Sequence, residues 1–291
     1  AAIPYQYLIN NQECRVSMVC DVMTGVNARG KGVFTKMGLY ATNKLKEENI
    51  SFTTGYPIRK EVIPGHIKAG WEIIFSLPLF VKFISVKSLF KSKKIGFISV
   101  FVDPILGFYN NVLSIFCSYP SYEIVSYSNS DLSDISGLND FFKKWSSEQK
   151  IALKKDSVYL SWRLGAPEKD YKIATFLLAG KIVGYSVYCS VVKEGIPCIA
   201  IIDVSVLKGY EGLSNAVLAH IETFARQRKK EAILFMTSNH INKLYGMRKS
   251  GFLKSPHKFF LIIKNLTNEF SKDFLKNEEN WHLTWLDSDN F

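Results

Sequence analysis

Within this 291-residue chain, the stretch Thr24-Gly25-Val26-Asn27-Ala28-Arg29-Gly30-Lys31-Gly32-Val33-Phe34 holds the residue types and spacing best suited to chemistry. Gly30 and Gly32 have no Cβ to keep a phosphate away, and Arg29 and Lys31 place two mobile cations beside them. A helix beginning at Val33 presents unpaired N–H groups and the positive end of its dipole to an anion. The chemistry indicated is phosphate binding. Ahead of the turn, Val16, Met18, Val19, Val22 and Met23 form an apolar run suited to a buried strand. Behind it, Val33, Met37, Tyr40, Ala41 and Leu45 recur at amphipathic helical spacing, with a stop near Lys46 to Asn49. The same residues also read as an ordinary tight turn with a solvated Arg and Lys, and spacing alone does not separate the two.

Two kinds of phosphate loop claim this turn. Gly25 to Lys31 fits the frame GxxxxGK, but a nucleotide triphosphatase needs a Ser or Thr hydroxyl next for magnesium, and Gly32 has none. The run from Thr24 to Phe34 instead resembles the acetyl-CoA loop of the GCN5-related N-acetyltransferases, [Arg/Gln]-x-x-Gly-x-[Gly/Ala] closing on a helix. Gly30 and Gly32 match, while Asn27 stands where the family has Arg or Gln. The following strand, Ile50 to Tyr56, and helix, Ile58 to Ala69, end on Lys68-Ala69-Gly70-Trp71, similar to the family's Lys-x-Gly-Phe. The Asn that the family carries soon after that strand is replaced by Ile58.

The resemblance implies a set of contacts. Backbone groups of Met23 and Thr24, still in the strand, and N–H groups of Asn27, Ala28, Arg29, Gly30, Lys31, Gly32, Val33 and Phe34 would hold acetyl-CoA as co-substrate, with no metal. The family often places a general acid four residues before the closing glycine, which here is His66. Acyl transfer to an amine needs the amine neutral, the carbonyl polarised and the thiolate protonated on leaving. Tyr56 is a second candidate acid, and Asp21, in its apolar run, a candidate base. The plainer readings are a surface histidine and a structural aspartate.

Composition narrows the partners. There are 37 Lys and Arg against 26 Asp and Glu, a formal net charge of +11, and 47% of residues are hydrophobic. This fits a globular protein with anionic partners, CoA, nucleic acid or a lipid surface. With CoA chosen, nucleic acid is not expected. Cys14, Cys20, Cys117, Cys189 and Cys198 form no CxxC pair and read as reduced thiols, pointing to the cytoplasm. The start, Ala1-Ala2-Ile3-Pro4-Tyr5, is not that of a signal peptide, and residues are expected upstream.

The expected fold class is α/β with a mixed sheet, in two acetyltransferase-like domains. The first, residues 1–95, holds the CoA loop and lacks its N-terminal strands, so its sheet edge needs a cover. A connector spans 96–120, and a second domain with a degenerate loop spans 121–291. Tyr5 to Ile9 and Val16 to Met23 read as strands, Ile73 to Val81 as a strand broken at Pro78, and Ile95 to Leu113 as a helix or strand pair interrupted at Asp103-Pro104. Charges within the apolar stretch from Ile73 to Phe116 argue against a membrane span. Lys82, Lys87, Lys91, Lys93 and Lys94 beside Phe80, Phe83 and Phe90 outline either a lipid-touching surface or a solvated seam between domains, the latter preferred.

An internal repeat accompanies this. Asp21 and Asp203 are 182 residues apart, and that offset sets Gly30 on Gly212; Gly70-Trp71 meets Gly251-Phe252 at 181. The second turn carries Glu211 for Arg29 and Leu213 for Lys31, so it is a poor diphosphate cradle, while Asn239 falls opposite Ile58. The second copy reads as scaffold and possible acceptor site. At the C-terminus Trp281, His282, Trp285, Asp287 and Asp289 form either an amino-sugar platform or an ordered tail packed on a core. The function expected is acetyl transfer from CoA to a primary amine, such as an amino sugar, amino acid or polyamine, by direct attack. The alternatives are a non-catalytic module whose basic surface binds an acidic partner or membrane, and a triphosphatase using Lys31 with Asp203.

Overall fold

The computed structural model describes residues 1–92, 99–116, 122–167 and 169–289. Lys93, Lys94, Cys117 and Ser121 lie outside the described residues. Among these residues twelve strands join in one mixed sheet: β1 (Ala2–Ile9), β2 (Gln12–Val19), β3 (Phe52–Gly55), β4 (Glu72–Phe83), β5 (Glu123–Ser128), β6 (Ile151–Leu153), β7 (Tyr171–Leu178), β8 (Lys181–Lys193), β9 (Ile196–Val206), β10 (Ala232–Met236), β11 (Leu253–Asn265) and β12 (Trp281–His282). Their spatial order is β12-β6-β1-β2-β3-β11-β4-β10-β9-β8-β7-β5. The helices are α1 (Val33–Glu47), α2 (Ile63–Lys68), α3 (Lys87–Ser92), α4 (Ser99–Phe116), α5 (Leu138–Ser147), α6 (Ser157–Leu164), α7 (Leu213–Gln227), α8 (Asn239–Leu244) and α9 (Lys272–Lys276). This is the mixed α/β class expected.

Two sets of elements share one order, β2-α1-β3-α2-β4 and β9-α7-β10-α8-β11. In both, a left-handed glycine followed by a buried aromatic closes the segment, directly after α2 in the first set and after the turn from Tyr245 to Ser250 that follows α8 in the second. Gly70 (φ 86°) precedes Trp71, whose N–H donates to His66 O at 3.1 Å, and Gly251 (φ 89°) precedes Phe252, whose N–H donates to Met247 O at 3.0 Å. A positive φ suits glycine at both positions, and at Gly70 it closes α2. The helices α1 and α7, both of 15 residues, are capped by Gly32 and Gly212. By helix start, then, Gly212 stands opposite Gly32 rather than Gly30.

The sets interlock through their last strands. β11 lies between β3 and β4, pairing Asn265 with Phe52 and Ile262 with Gly55, while β4 lies between β11 and β10, pairing Leu79 to Phe83 with Met236 to Ala232. Each long strand therefore serves both sets. Pro78 does not break β4. It sits at a register shift opposite Lys258, where the missing N–H disturbs the ladder least. The edge of β1, read as needing a cover, pairs with the short β6, which pairs in turn with β12.

Local departures from the sequence reading have clear causes. β2 ends at Val19, so Asp21, Val22, Met23 and Thr24 belong to an irregular segment and not to the strand. Left-handed Gly137 (φ 77°) separates a 3-10 turn, Asn129–Asp134, from α5. The basic stretch is not all surface: Lys82 and Phe80 are buried in β4, Lys82 paired with Glu222, and α3 follows. This removes both residues from the basic surface outlined above. α4 runs through Asp103-Pro104 as one helix.

Candidate active site

The parallel pairing of β2 with β3 stops at Val19 opposite Gly55. Beyond that point the chains diverge, β2 into the segment leading to the glycine turn and β3 into Tyr56-Pro57. Helices α1 and α2 close one side. They approach tightly because Gly38 faces Ala69, where an added Cβ would lie 3.3 Å from that of Ala69, and because Gly65 admits the Phe34 ring, which an added Cβ would meet at 2.8 Å. Lys264 on β11 fixes the pair from below, its ammonium donating to Thr42 Oγ1 at 2.7 Å and to Ala69 O at 2.8 Å.

A cleft of about 770 Å³ opens along the turn, lined by Val22, Met23, Thr24, Ala28, Arg29, Gly30, Gly32, Val33, Phe34 and Thr35 on one wall. Arg59 and Lys68 add two cations from the α2 side. The turn divides into two parts. The amides of Ala28 and Arg29 donate inward, to Gly25 O at 2.9 Å and Val26 O at 3.2 Å, which corrects the expectation that all of Ala28 to Phe34 faces a ligand. The amides of Gly30, Lys31, Gly32, Val33 and Phe34 have no acceptor among the described residues, and a Cβ at Gly30 or Gly32 would meet nothing within 4 Å. Both glycines are left-handed (φ 73° and 71°), so the turn favours glycine there on conformational grounds as well. The Arg29 guanidinium leans on its own loop, donating to Thr24 O at 3.3 Å. Asn27 and Lys31 are exposed and do not line the cleft.

A neighbouring cleft of about 470 Å³ sits where the strands diverge, and it brings together all three catalytic candidates, Asp21, Tyr56 and His66. Their settings differ from those expected. Asp21 is exposed in left-handed backbone (φ 47°) just past the strand end, and not buried within a strand. His66 is no surface histidine: it is buried edge-on between Phe34 (ring centroids 5.0 Å) and Trp71 (5.3 Å), and burial lowers its pKa, so the ring is neutral near pH 7. Tyr56 is buried in hydrogen-bond contact with Tyr7, and burial holds its phenol well above the usual pKa.

Sequence reasoning missed Asp289 at this cleft. Buried Arg163 anchors the tail, Nη2 donating to Ser288 O at 2.9 Å, and Asp289 reaches the cleft beside Asp21. Desolvation, with the charge of Asp21 added, raises its carboxyl pKa. No local signal placed it there. Arg59 was legible in principle as the cation next to Ile58.

At the second set the corresponding space is occupied from within. At its turn the Gly209 amide donates to Glu211 Oε1 at 3.0 Å and the Lys208 amide to Glu148 Oε2 at 2.7 Å, so the protein's own carboxylates occupy the positions of an anion. Pairing of β9 with β10 stops at Ile201 opposite Phe235, and the C-terminal tail fills the space beyond. Thr237 Oγ1 donates to Leu283 O at 2.7 Å, Thr284 Oγ1 to Asp203 Oδ1 at 2.9 Å, and Tyr7 OH to Asp287 Oδ1 at 3.2 Å. Lys155, buried over the Trp145 ring, binds Asp203 Oδ2 at 2.6 Å and Ser205 Oγ at 3.0 Å. Burial pushes the Asp287 carboxyl up to about 6. Trp281, His282 and Trp285 are buried, so the tail is packed on the core and offers no exposed platform for a sugar ring. With the tail in this space, none of it is left open for an acceptor among the described residues.

Comparison with known proteins agrees with this architecture. Residues 1–74 match the family profile described as "Acetyltransferase (GNAT) domain". The fold is shared with a GCN5-related N-acetyltransferase from Anabaena variabilis (TM-score 0.63, 13% identity, 91% of this chain and 59% of that one). It is shared also with one from Kribbella flavida (0.58, 11%, 91% and 56%) and with Saccharomyces cerevisiae N-myristoyltransferase with bound myristoyl-CoA (0.59, 9%, 91% and 66%). This chain thus spans less than two thirds of the length of each. No curated protein matches it by sequence. The chain has the GCN5-related N-acetyltransferase fold, and its first 74 residues carry that family's sequence pattern.

Proposed function

We propose that the protein is an acyl-CoA-dependent N-acyltransferase, transferring an acetyl group to a primary amine at the first cleft. In this reading residues 1–95 carry the thioester site, 96–120 connect, and 121–291 form the second unit. The observation that carries it is the row of unengaged amides from Gly30 to Phe34 at the start of α1, open where Cβ atoms would otherwise project. Those amides, with Arg29, Arg59 and Lys68, fit the charge of a diphosphate. Irregular backbone from Val22 to Thr24 is available to a pantetheine arm. At the neighbouring cleft, a carboxylate of Asp21 or Asp289 takes the proton of the incoming ammonium, and the Tyr56 phenol supplies one to the departing thiolate, with the neutral His66 ring limited to a hydrogen bond. Direct attack needs no covalent enzyme intermediate.

Four buried cysteines without a disulfide, Cys14, Cys20, Cys189 and Cys198, support a reducing cytoplasmic setting. Among the described residues no helix is long and apolar enough to cross a membrane, and no cluster of side chains suits a metal ion. The filled second cleft favours one rival reading, a non-catalytic module. Isothermal titration separates them. The proposal expects one acetyl-CoA site per chain and weak or no binding of Mg-ATP, followed by turnover in a screen of amine acceptors. Absence of CoA binding by a folded chain selects the module.

A further inference from the structure

Helix α4 turns an apolar face to solvent. Phe101, Ile105 and Phe108, 69–72% exposed, recur at spacings that place them on one stripe, and Val100 (70% exposed) and Tyr109 (50%) flank it on either side. The opposite side of the helix is fastened. Asp103 accepts from Ser85 Oγ and Val86 N, both at 2.8 Å, Asn110 Nδ2 donates to Phe83 O at 3.0 Å, and Leu113 lies against Gly251. These contacts fix the rotation of the helix, so the exposure of its large side chains is built into the fold. A contiguous apolar patch of this kind marks an interaction surface.

Exposed cations stand on the elements that pack against the two ends of α4. Lys87 and Lys91 are exposed on α3, and Arg248 and Lys249 are exposed on the turn that packs against Leu113. The nearby carboxylates are engaged internally. Glu231 accepts from Ser88 N and Oγ at 2.7 Å, Glu222 pairs with Lys82 and Arg226, and Asp103 is held as described. From Ser85 to Ser121 the sequence has no carboxylate besides Asp103.

We propose that α4 is a docking surface for an anionic lipid bilayer, with Phe101, Ile105 and Phe108 entering the boundary between headgroups and chains. Lys87, Lys91, Arg248 and Lys249 then meet lipid phosphates. Charge complementarity selects this occupant, because a second copy of the patch would bring like charges together. Asp103, Asn110 and the packing against β4 keep the helix along the surface and not through it.

Flotation of the full chain tests this, using vesicles of phosphatidylcholine alone and of phosphatidylcholine mixed with phosphatidylglycerol. The expected result is salt-sensitive binding to the mixed vesicles only. The double variant Phe101→Ser/Phe108→Ser reduces the bound fraction about tenfold or more while the melting temperature is unchanged, and Lys87→Glu/Lys91→Glu acts in the same direction. The proposal is overturned if the wild-type chain stays unbound at low salt, or if the variants float as well as it does. It is also overturned if ultracentrifugation shows a dimer that Phe101→Ser disrupts while vesicles bind nothing.

Discussion

The two glycine turns begin from the same plan and part at a few side chains. At the first, the amides of Gly30 to Phe34 have no acceptor among the described residues, and Gly30, Gly32, Val33 and Phe34 line a cleft flanked by Arg29, Arg59 and Lys68. At the second, Glu211 and Glu148 take the amides of Gly209 and Lys208, and the tail from Leu283 to Ser288 enters where the strands diverge. One site leaves room for an anion from outside, and the other carries its anions permanently. A carboxylate at such a turn is thus more than a repulsive substitution: it is an internal replacement for the ligand.

That contrast can be broken most forcefully at Lys155. Replacing it with Met leaves Asp203 buried without its cation, and removing one partner of a buried pair costs about 3–5 kcal/mol. Denaturant unfolding measures this, and a loss below about 1 kcal/mol shows that the ion pair does not hold the tail in place. Next in size is Gly32→Glu, which puts a carboxylate into the first turn at a φ of 71°. Titration with acetyl-CoA is expected to show about 100-fold weaker binding, near 2.7 kcal/mol, with a melting temperature lowered by no more than the ~1–2 kcal/mol strain of a side chain at positive φ.

A smaller effect comes from Asp287. Its carboxyl, pushed up to about 6 in the folded chain, binds its proton more tightly there than in the unfolded chain. Its contribution to stability is therefore complete below about pH 4 and is lost as pH rises through about 6. Asp287→Asn removes that component, so thermal melts between pH 4 and pH 7 fall less steeply for the variant. Glu211→Gln is the mildest. It weakens one charge-assisted hydrogen bond by about 1 kcal/mol and leaves the CoA stoichiometry at one, because the tail still fills the second cleft.

Local features were readable in the sequence, and arrivals from a distance were not. The strand, glycine turn and helix around Gly30 announce themselves because glycine spacing and a 3.6-residue period are properties of neighbouring residues. Gly70-Trp71 and Gly251-Phe252 were legible for the same reason. β6 has three residues and β12 two, too few to show alternation, so the covering of β1 was invisible. Asp289 reaches the first cleft only because Arg163, 126 residues earlier, holds Ser288. Phe80 and Lys82 looked like part of a basic surface, since nothing nearby reveals that Glu222 waits inside. Even the second turn was half legible: Glu211 was seen as unfavourable to phosphate, but its bond to Gly209 required the folded loop.

The exchange of β4 and β11 leaves the molecule without a hinge. Rotating one set of elements against the other would tear hydrogen bonds along two strands of 12 and 13 residues, so the frame beneath both clefts behaves as a single plate. Any tightening around a bound molecule must therefore arise above that plate, in the segment from Cys20 to Gly32 and in the turn from Pro57 to Val62.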